Sequence, residues 1–355
     1  MKTACVDPSP ESESPGCREA ARGAADAAPG DLAKTQACAP ILLLGFNRPD
    51  LLRGLVGILA KVKPPKLYLA VDGPRPGREG EAGKCAECAA VLDHLDWPCK
   101  VEKLIRTENL GCRLAVTGAI DWFFSKEEEG IVLEDDCWPD PSFLRFATEL
   151  LERYRDDPRI GIISGNNSFE YISDKNNSYR FTTPASIWGW ATWARKWERY
   201  DPNPASYVGD FEDFVSKTAL TRRRKQLSRR ILSGLLNGQD TWDMQWSFTR
   251  LRNRWLDICP QKNLVSNKGF GTKGTHTGFT YDQFKHQQAA GVVFPLIHPN
   301  SVARDVPADR KTERRMFALL PRILTVVGCK FGRMGRFLAF VATKIERMWP
   351  SLFRV

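Results

Sequence analysis

Ile131-Val132-Leu133-Glu134-Asp135-Asp136 is an apolar run ending in three consecutive carboxylates, with Cys137-Trp138-Pro139-Asp140-Pro141 directly after it. A short apolar run of this kind fits a strand buried on both faces of a parallel sheet. Adjacent carboxylates repel one another, so a fold that keeps three together needs a compensating positive charge. A hard divalent cation is the usual one: Mg2+ or Mn2+ takes oxygen ligands and in turn binds substrate phosphates. In open α/β sheets the ligand crevice lies at the carboxyl ends of the strands, where this triplet falls. The competing reading is a solvated acidic turn ahead of a helix. Downstream, Asp140 suits an N-cap and Pro141 the first helical position, and Phe143, Phe146, Ala147, Leu150, Leu151 and Tyr154 recur at helical spacing. Upstream, Val116, Ile120, Phe123 and Phe124 mark an amphipathic helix over residues 113–124. The local order is helix, strand, helix.

The same alternation runs through the chain. Residues 40–46 (PILLLGF), 66–71 (KLYLAV), 101–105, 160–164 and 257–259 read as strands. Helices are expected over 51–62, closed by Pro64-Pro65, over about 85–95, over 210–236 with its arginines on a solvated face, and from about 246 to 254. Residues 168–180 are polar and read as a surface loop or hairpin. Strands alternating with helices give βαβ units, so the expected fold class is α/β, a mainly parallel sheet flanked by helices.

A chain of 355 residues can bury one large core or two smaller ones. Its net charge of +10 is uneven: residues 310–355 hold eleven Lys or Arg against two Glu, and the remainder is near neutral. With the charge confined to a tail and no recognised motif beside it, nucleic acid is not an expected partner. The ten cysteines are too sparse for a disulfide scaffold, and the C-x-x-C pair Cys85 and Cys88 has no second pair to complete a zinc site. No signal-peptide pattern opens the sequence, and residues 1–38, rich in Ala, Pro, Ser, Gly and Glu, read as a flexible, disordered leader. Reduced thiols and a cytoplasmic location are the expectation. Residues 309–355 form a basic tail whose apolar clusters are too interrupted to span a bilayer. It reads either as a basic amphipathic segment lying on the inner face of the membrane or as a solvated tail.

Candidate functional residues collect at the predicted strand ends. Arg48 follows the first strand, Asp72 the second, and Arg113 opens the helix after Thr107-Glu108-Asn109-Leu110-Gly111. With Glu134, Asp135 and Asp136 they suit a nucleotide, a carboxylate accepting from the base and guanidinium groups meeting phosphate or ribose. Trp188, Trp190 and Trp193 lie among small residues and serve either as a platform for a sugar ring or as core. Asp240 and Asp243 flank Thr241-Trp242, and the Gly-containing stretch 263–277 reads as a loop able to close over a ligand, with His276 as a metal or phosphate contact or a structural residue.

The order ILLLGFNRP, YLAVDGP, NLGCRLAV, IVLEDDCWPDPSF, ISGNN, TWDMQW and NLVSNKGFGTKGTHTGFTYDQF, over roughly residues 40–285, resembles a GT-A (Rossmann-like) glycosyltransferase. It looks like the Golgi β-1,2-N-acetylglucosaminyltransferases and the bacterial hemolytic-protein-like nucleotide-diphospho-sugar transferases. The resemblance implies a domain over 39–308, with a nucleotide-sugar half at 39–167 and an acceptor half at 168–308. It implies a metal-dependent inverting hexosyl- or N-acetylhexosaminyl-transferase. The donor would be UDP-linked and the acceptor a glycan or a lipid-linked hydroxyl, in surface polysaccharide or glycolipid synthesis. Asp136 would bind Mn2+ or Mg2+, with His276 a further metal contact. Glu134, Asp135 and Trp190 would meet the ribose or donor sugar, Arg48, Asp72 and Arg113 the nucleotide, and Asp243 would be the general base. Adjacent acids are part of the family's Trp-Asp motif, and here Met244 and Gln245 follow instead, so Asp240 stands as an alternative base. Unlike the Golgi enzymes, the sequence shows no N-terminal anchor. A sugar nucleotidyltransferase shares the sheet and the metal chemistry, but its Gly-rich phosphate loop is poorly matched by GFNRPDLLRG; a non-catalytic carbohydrate-binding relative is the other alternative.

Overall fold

The computed structural model describes residues 38–269 and 287–316. Its first part is a run of βα units: β1 (Ile41–Gly45), α1 (Pro49–Leu59), β2 (Lys66–Val71), α2 (Glu81–Ala90), β3 (Lys100–Ile105), α3 (Gly111–Phe124) and β4 (Glu129–Glu134). Pro49 opens α1 because its missing N–H is one the first helical turn leaves unbonded anyway. Three-residue β5 (Cys137–Pro139) then leads into α4 (Ser142–Arg153) and β6 (Ile160–Ser164). Asp140 does the capping expected of it, accepting from the Ser142 backbone N–H at 2.9 Å, although the helix proper begins one residue past Pro141.

The second part holds β7 (Tyr179–Thr182), β8 (Trp190–Trp193), the single turn α5 (Ala194–Trp197), a 3-10 turn at Pro204–Tyr207, α6 (Phe211–Thr218), α7 (Arg222–Leu236), α8 (Asp243–Arg252), β9 (Leu256–Pro260), β10 (Val265–Asn267) and α9 (Val306–Met316). The helix expected over 210–236 is two helices. Thr221 stops the run by accepting from the Arg224 N–H at 3.2 Å as a new N-cap, and the Leu220 N–H donates to the Glu313 carboxylate of α9. The tail boundary expected at residue 309 falls inside α9, where Asp309 and Glu313 are buried. The expected leader before Cys38, His276, and the tail beyond Met316 lie outside the described residues.

Among the described residues eight strands form one sheet in the order β3-β2-β1-β4-β8-β6-β9-β7. β3, β2, β1 and β4 are parallel, β6 and β9 are parallel, and β8 and β7 run against their neighbours. This is the largely parallel α/β sheet flanked by helices that the sequence predicts. Alternation along β1 explains the layers: Ile41 and Leu43 pack with Leu52, Leu55, Phe143 and Leu150 on one face, Leu42 and Leu44 with Ile120, Phe123 and Trp246 on the other. Each fully buried Leu, Ile or Val stabilises the sheet by about 1.5–3 kcal/mol. A smaller core under α6, α7 and α8 gathers Phe211, Phe214, Leu232 and Phe248.

Trp190 belongs to the second face. It is 1 % exposed and its ring lies 5.8–6.1 Å from those of Trp242 and Trp246. A ring so enclosed has no face to offer a sugar, so of the two readings of this tryptophan the structure has the core one.

Candidate active site at the ends of β1 and β4

The chain leaves β1, builds β2 and β3 outward on one side, and returns to β4 on the other side of β1. The loops after β1 and β4 therefore part in opposite directions and leave a crevice between their carboxyl ends. Arg48 follows β1, and Glu134, Asp135 and Asp136 end β4. The sheet thus brings together residues that lie far apart in sequence.

Their contacts differ from the sequence expectation in one respect. Arg48, expected to meet phosphate or ribose, is turned onto the acids. Its Nε donates to Asp135 Oδ2 at 3.0 Å, its Nη2 to Asp135 Oδ1, and its Nη1 to Asp136 Oδ2 at 2.9 Å. The planar guanidinium makes this fork possible where an ammonium could not. Asp135, expected to touch the donor, is 2 % exposed and paired with Arg48. Burial lowers the Arg48 pKa, and the charges of Asp135 and Asp136 more than reverse that.

One guanidinium does not balance the cluster. Burial pushes Glu134 up to about 8, and the charges of Asp136, Asp135 and Asp243 add to the rise. Burial likewise pushes Asp135 up to about 7, with Arg48 opposing and Asp136 adding. Asp243, at the start of α8, is thus within electrostatic reach of the strand end. Cys112 marks the centre: burial takes its thiol up to about 12, helped by Glu134, Asp240, Asp243 and Asp72. Nothing in the sequence pattern singled out this cysteine.

Asp72 is 7 % exposed and accepts from Asn109 Nδ2 at 2.9 Å and from the Leu110 N–H at 3.1 Å. It ties the loop before α3 to the end of β2, and Asn109, which sequence reasoning passed over, is its partner. Gly111 takes φ +78, a left-handed conformation that a side chain disfavours, and so turns the chain into α3. The first amides of that helix are then met from a distance: Asp240 accepts from the Cys112 N–H at 3.1 Å and the Arg113 N–H at 3.3 Å. Arg113 Nε lies 3.8 Å from the same carboxylate. Asp243 instead takes a hydrogen bond from the Thr241 hydroxyl on Oδ1.

The β5–β10 ribbon, pairing Cys137 with Asn267, carries residues 265–269 to the acids. The Lys268 N–H donates to the Asp136 carbonyl at 2.7 Å, and a Cβ on Gly269 would stand 2.2 Å from Asp136 Oδ2. Only glycine lets the chain pass this close to that oxygen. Among the described residues no group of three or more His, Cys, Asp or Glu is arranged to hold a metal ion. The surplus of buried negative charge still fits a hard cation that keeps most of its ligands from water and phosphate.

Comparison with known proteins adds little to this geometry. No family model matches the chain, and no curated protein does. Among solved structures it is similar to the galactosyltransferase LgtC with donor and acceptor sugar analogues, at 11% identity over 64% of this chain and 86% of that one, TM-score 0.31. An active-site mutant of LgtC gives 13% identity over 67% and 92%, TM-score 0.32. The mannosyltransferase PcManGT from Pyrobaculum calidifontis, in complex with GDP-Man and Mn2+, gives 11% over 89% of both chains, TM-score 0.34. Likenesses this remote decide nothing about chemistry.

Proposed function

We propose that the protein is a GT-A glycosyltransferase that moves a sugar from a nucleotide-diphosphate donor, UDP-linked, to an acceptor hydroxyl with inversion. The observation that carries the reading is the acid triplet and Arg48 at the switch point between β1 and β4. The donor diphosphate lies in the crevice. Asp136 would hold a Mn2+ or Mg2+ ion, which when bound would supply Lewis-acid stabilisation of the leaving diphosphate. Asp135 and Arg48 fix the direction of Asp136, and Asp72 sets the loop that walls the nucleotide. Arg113 faces the nucleotide from the start of α3. Asp243 takes the acceptor proton on Oδ2 while the hydroxyl attacks the anomeric carbon, and the C–O bond to the diphosphate breaks on the opposite side. A single direct displacement inverts that carbon. Asp240 is occupied with the first turn of α3, which favours Asp243 as the base.

The reading is tested by calorimetric titration of UDP and UDP-sugars with Mn2+ and, separately, with EDTA. Binding should need the metal in the wild type and lose that dependence in Asp136→Ala. Mn2+-dependent turnover at the wild-type rate in Asp136→Ala would falsify it.

A further inference from the structure

Leu110, Leu114, Val208 and Leu236 keep 43, 53, 55 and 50 % of their surface in solvent. Single exposed apolar side chains are ordinary, but Leu114, Val208 and Leu236 belong to or cap three elements that wall one cavity. A cavity of about 300 Å³ lies between α3, the 3-10 turn and the end of α7, lined in part by Arg113, Ala205, Leu235, Leu236 and Gln245. Leu236 is itself in the wall. Leu114 follows Arg113, and the Val208 N–H donates to the Ala205 carbonyl at 3.2 Å. Gln245 stands two residues past Asp243, so α8 carries both the cavity wall and the proposed base.

α7 ends at this opening and carries one exposed stripe at helical spacing: Arg222, Gln226, Arg229, Ser233 and Leu236, with Arg230 beside it. The helix spans roughly 22 Å. At its other end it meets α9 through Leu220 and Glu313. α9 buries Ala308, Asp309 and Glu313, and so turns Arg310, Lys311, Arg314 and Arg315 outward. Glu212, paired with Arg229 at 2.7 Å, answers part of this positive charge.

We propose that the face running from α9 along α7 to the cavity mouth docks on an anionic lipid bilayer. The arginines lie at the headgroups, and Leu114, Val208 and Leu236 enter the acyl boundary. The cavity then opens at the lipid surface, and the acceptor is a membrane-held glycolipid; this last point alone rests on the transferase reading. A second copy of the chain is a poor occupant, because the face would meet its own positive charge. Nucleic acid is a poor one too, because leucine and valine offer no ring for a base to stack on.

Full-length protein is floated with vesicles of phosphatidylcholine alone and of phosphatidylcholine with phosphatidylglycerol. The wild type should float only with the anionic vesicles. Leu114→Ser/Val208→Ser/Leu236→Ser and Arg222→Gln/Arg230→Gln/Arg314→Gln should each lower the bound fraction about tenfold. Their melting temperatures should match the wild type, since all six side chains are exposed. Either triple variant floating like the wild type overturns the proposal, as does equal binding to neutral vesicles. UDP titration of the same preparations separates the two ideas. Wild-type protein that binds UDP yet fails to float with the anionic vesicles overturns the docking face alone. Flotation with no UDP binding supports the face and refutes the transferase.

Discussion

Asp135 has its two carboxylate oxygens on one guanidinium and 2 % of its surface in water, so what Arg48 does for it is measurable. Arg48→Gln strands a buried carboxylate, and urea denaturation should show a loss of about 2–4 kcal/mol, short of the full cost because Arg48 keeps 22 % exposure. Arg48→Lys should recover less than half, since an ammonium cannot make the fork. Glu134 gives a pH effect of definite sign. Its folded pKa of about 8 lies above the ordinary 4.5, so the folded chain binds the extra proton between those values and stability falls as pH rises through them. The effect is on the order of 1 kcal/mol, reduced because the side chain is only half-buried. Thermal melts in EDTA at pH 5 and pH 8 should show a decline in the wild type that Glu134→Gln lessens, the remainder coming from Asp135 and Asp257, whose carboxyls burial also raises; parallel curves would remove the argument. The sequence made the triplet and Arg48 legible as charges at strand ends. It could not show that they would pair, because the pairing depends on β1 lying beside β4.

At the scale of elements, the start of α3 shows what local sequence hides. Helix caps are read from residues adjacent to the helix, and Asp240 caps α3 from 127 and 128 positions away. That is why Asp240 reads in the sequence as a rival base. Asp240→Asn should cost about 1 kcal/mol of stability and keep most of the transfer activity. Asp243→Asn should keep UDP affinity and lower transfer about 10²–10⁴-fold; the reverse outcome in a paired assay exchanges the two roles. The β5–β10 ribbon is a second case, since three-residue strands carry too few side chains to show a period. Gly269→Ala places a methyl against Asp136 and should weaken Mn2+-dependent UDP binding at least about tenfold with little change in melting temperature. An unaltered titration would show that the close approach of Gly269 to Asp136 does not matter for binding. The break between α6 and α7 was illegible for the same reason as the Asp240 cap: part of what stops the helix, Glu313, comes from elsewhere in the chain.

Across the whole molecule, hydrophobic runs and their spacing foretell the parallel half of the sheet, because each buried strand there is followed by its own helix. They do not foretell that β8 enters between β4 and β6, or that β7 closes the far edge against β9, since strand order is decided by faces meeting in three dimensions. That far edge is held by charge. Arg180 of β7, 5 % exposed, donates to Asp309 at 2.5 Å; Arg304 Nε donates to the same carboxylate at 2.6 Å, and Thr182 donates to it as well. Asp309 thereby fastens α9 to the sheet edge. Asp309→Ala leaves Arg180 buried without its counter-ion and should cost about 3–5 kcal/mol in urea denaturation. β7 stands four strands from β4, roughly 19 Å at ordinary strand spacing, so the crevice should not sense the change. UDP affinity measured below the unfolding transition should stay within about twofold of the wild type. If affinity falls together with stability, the far edge and the crevice are one cooperative unit, and the site cannot be treated as resting on the β1–β4 switch point alone.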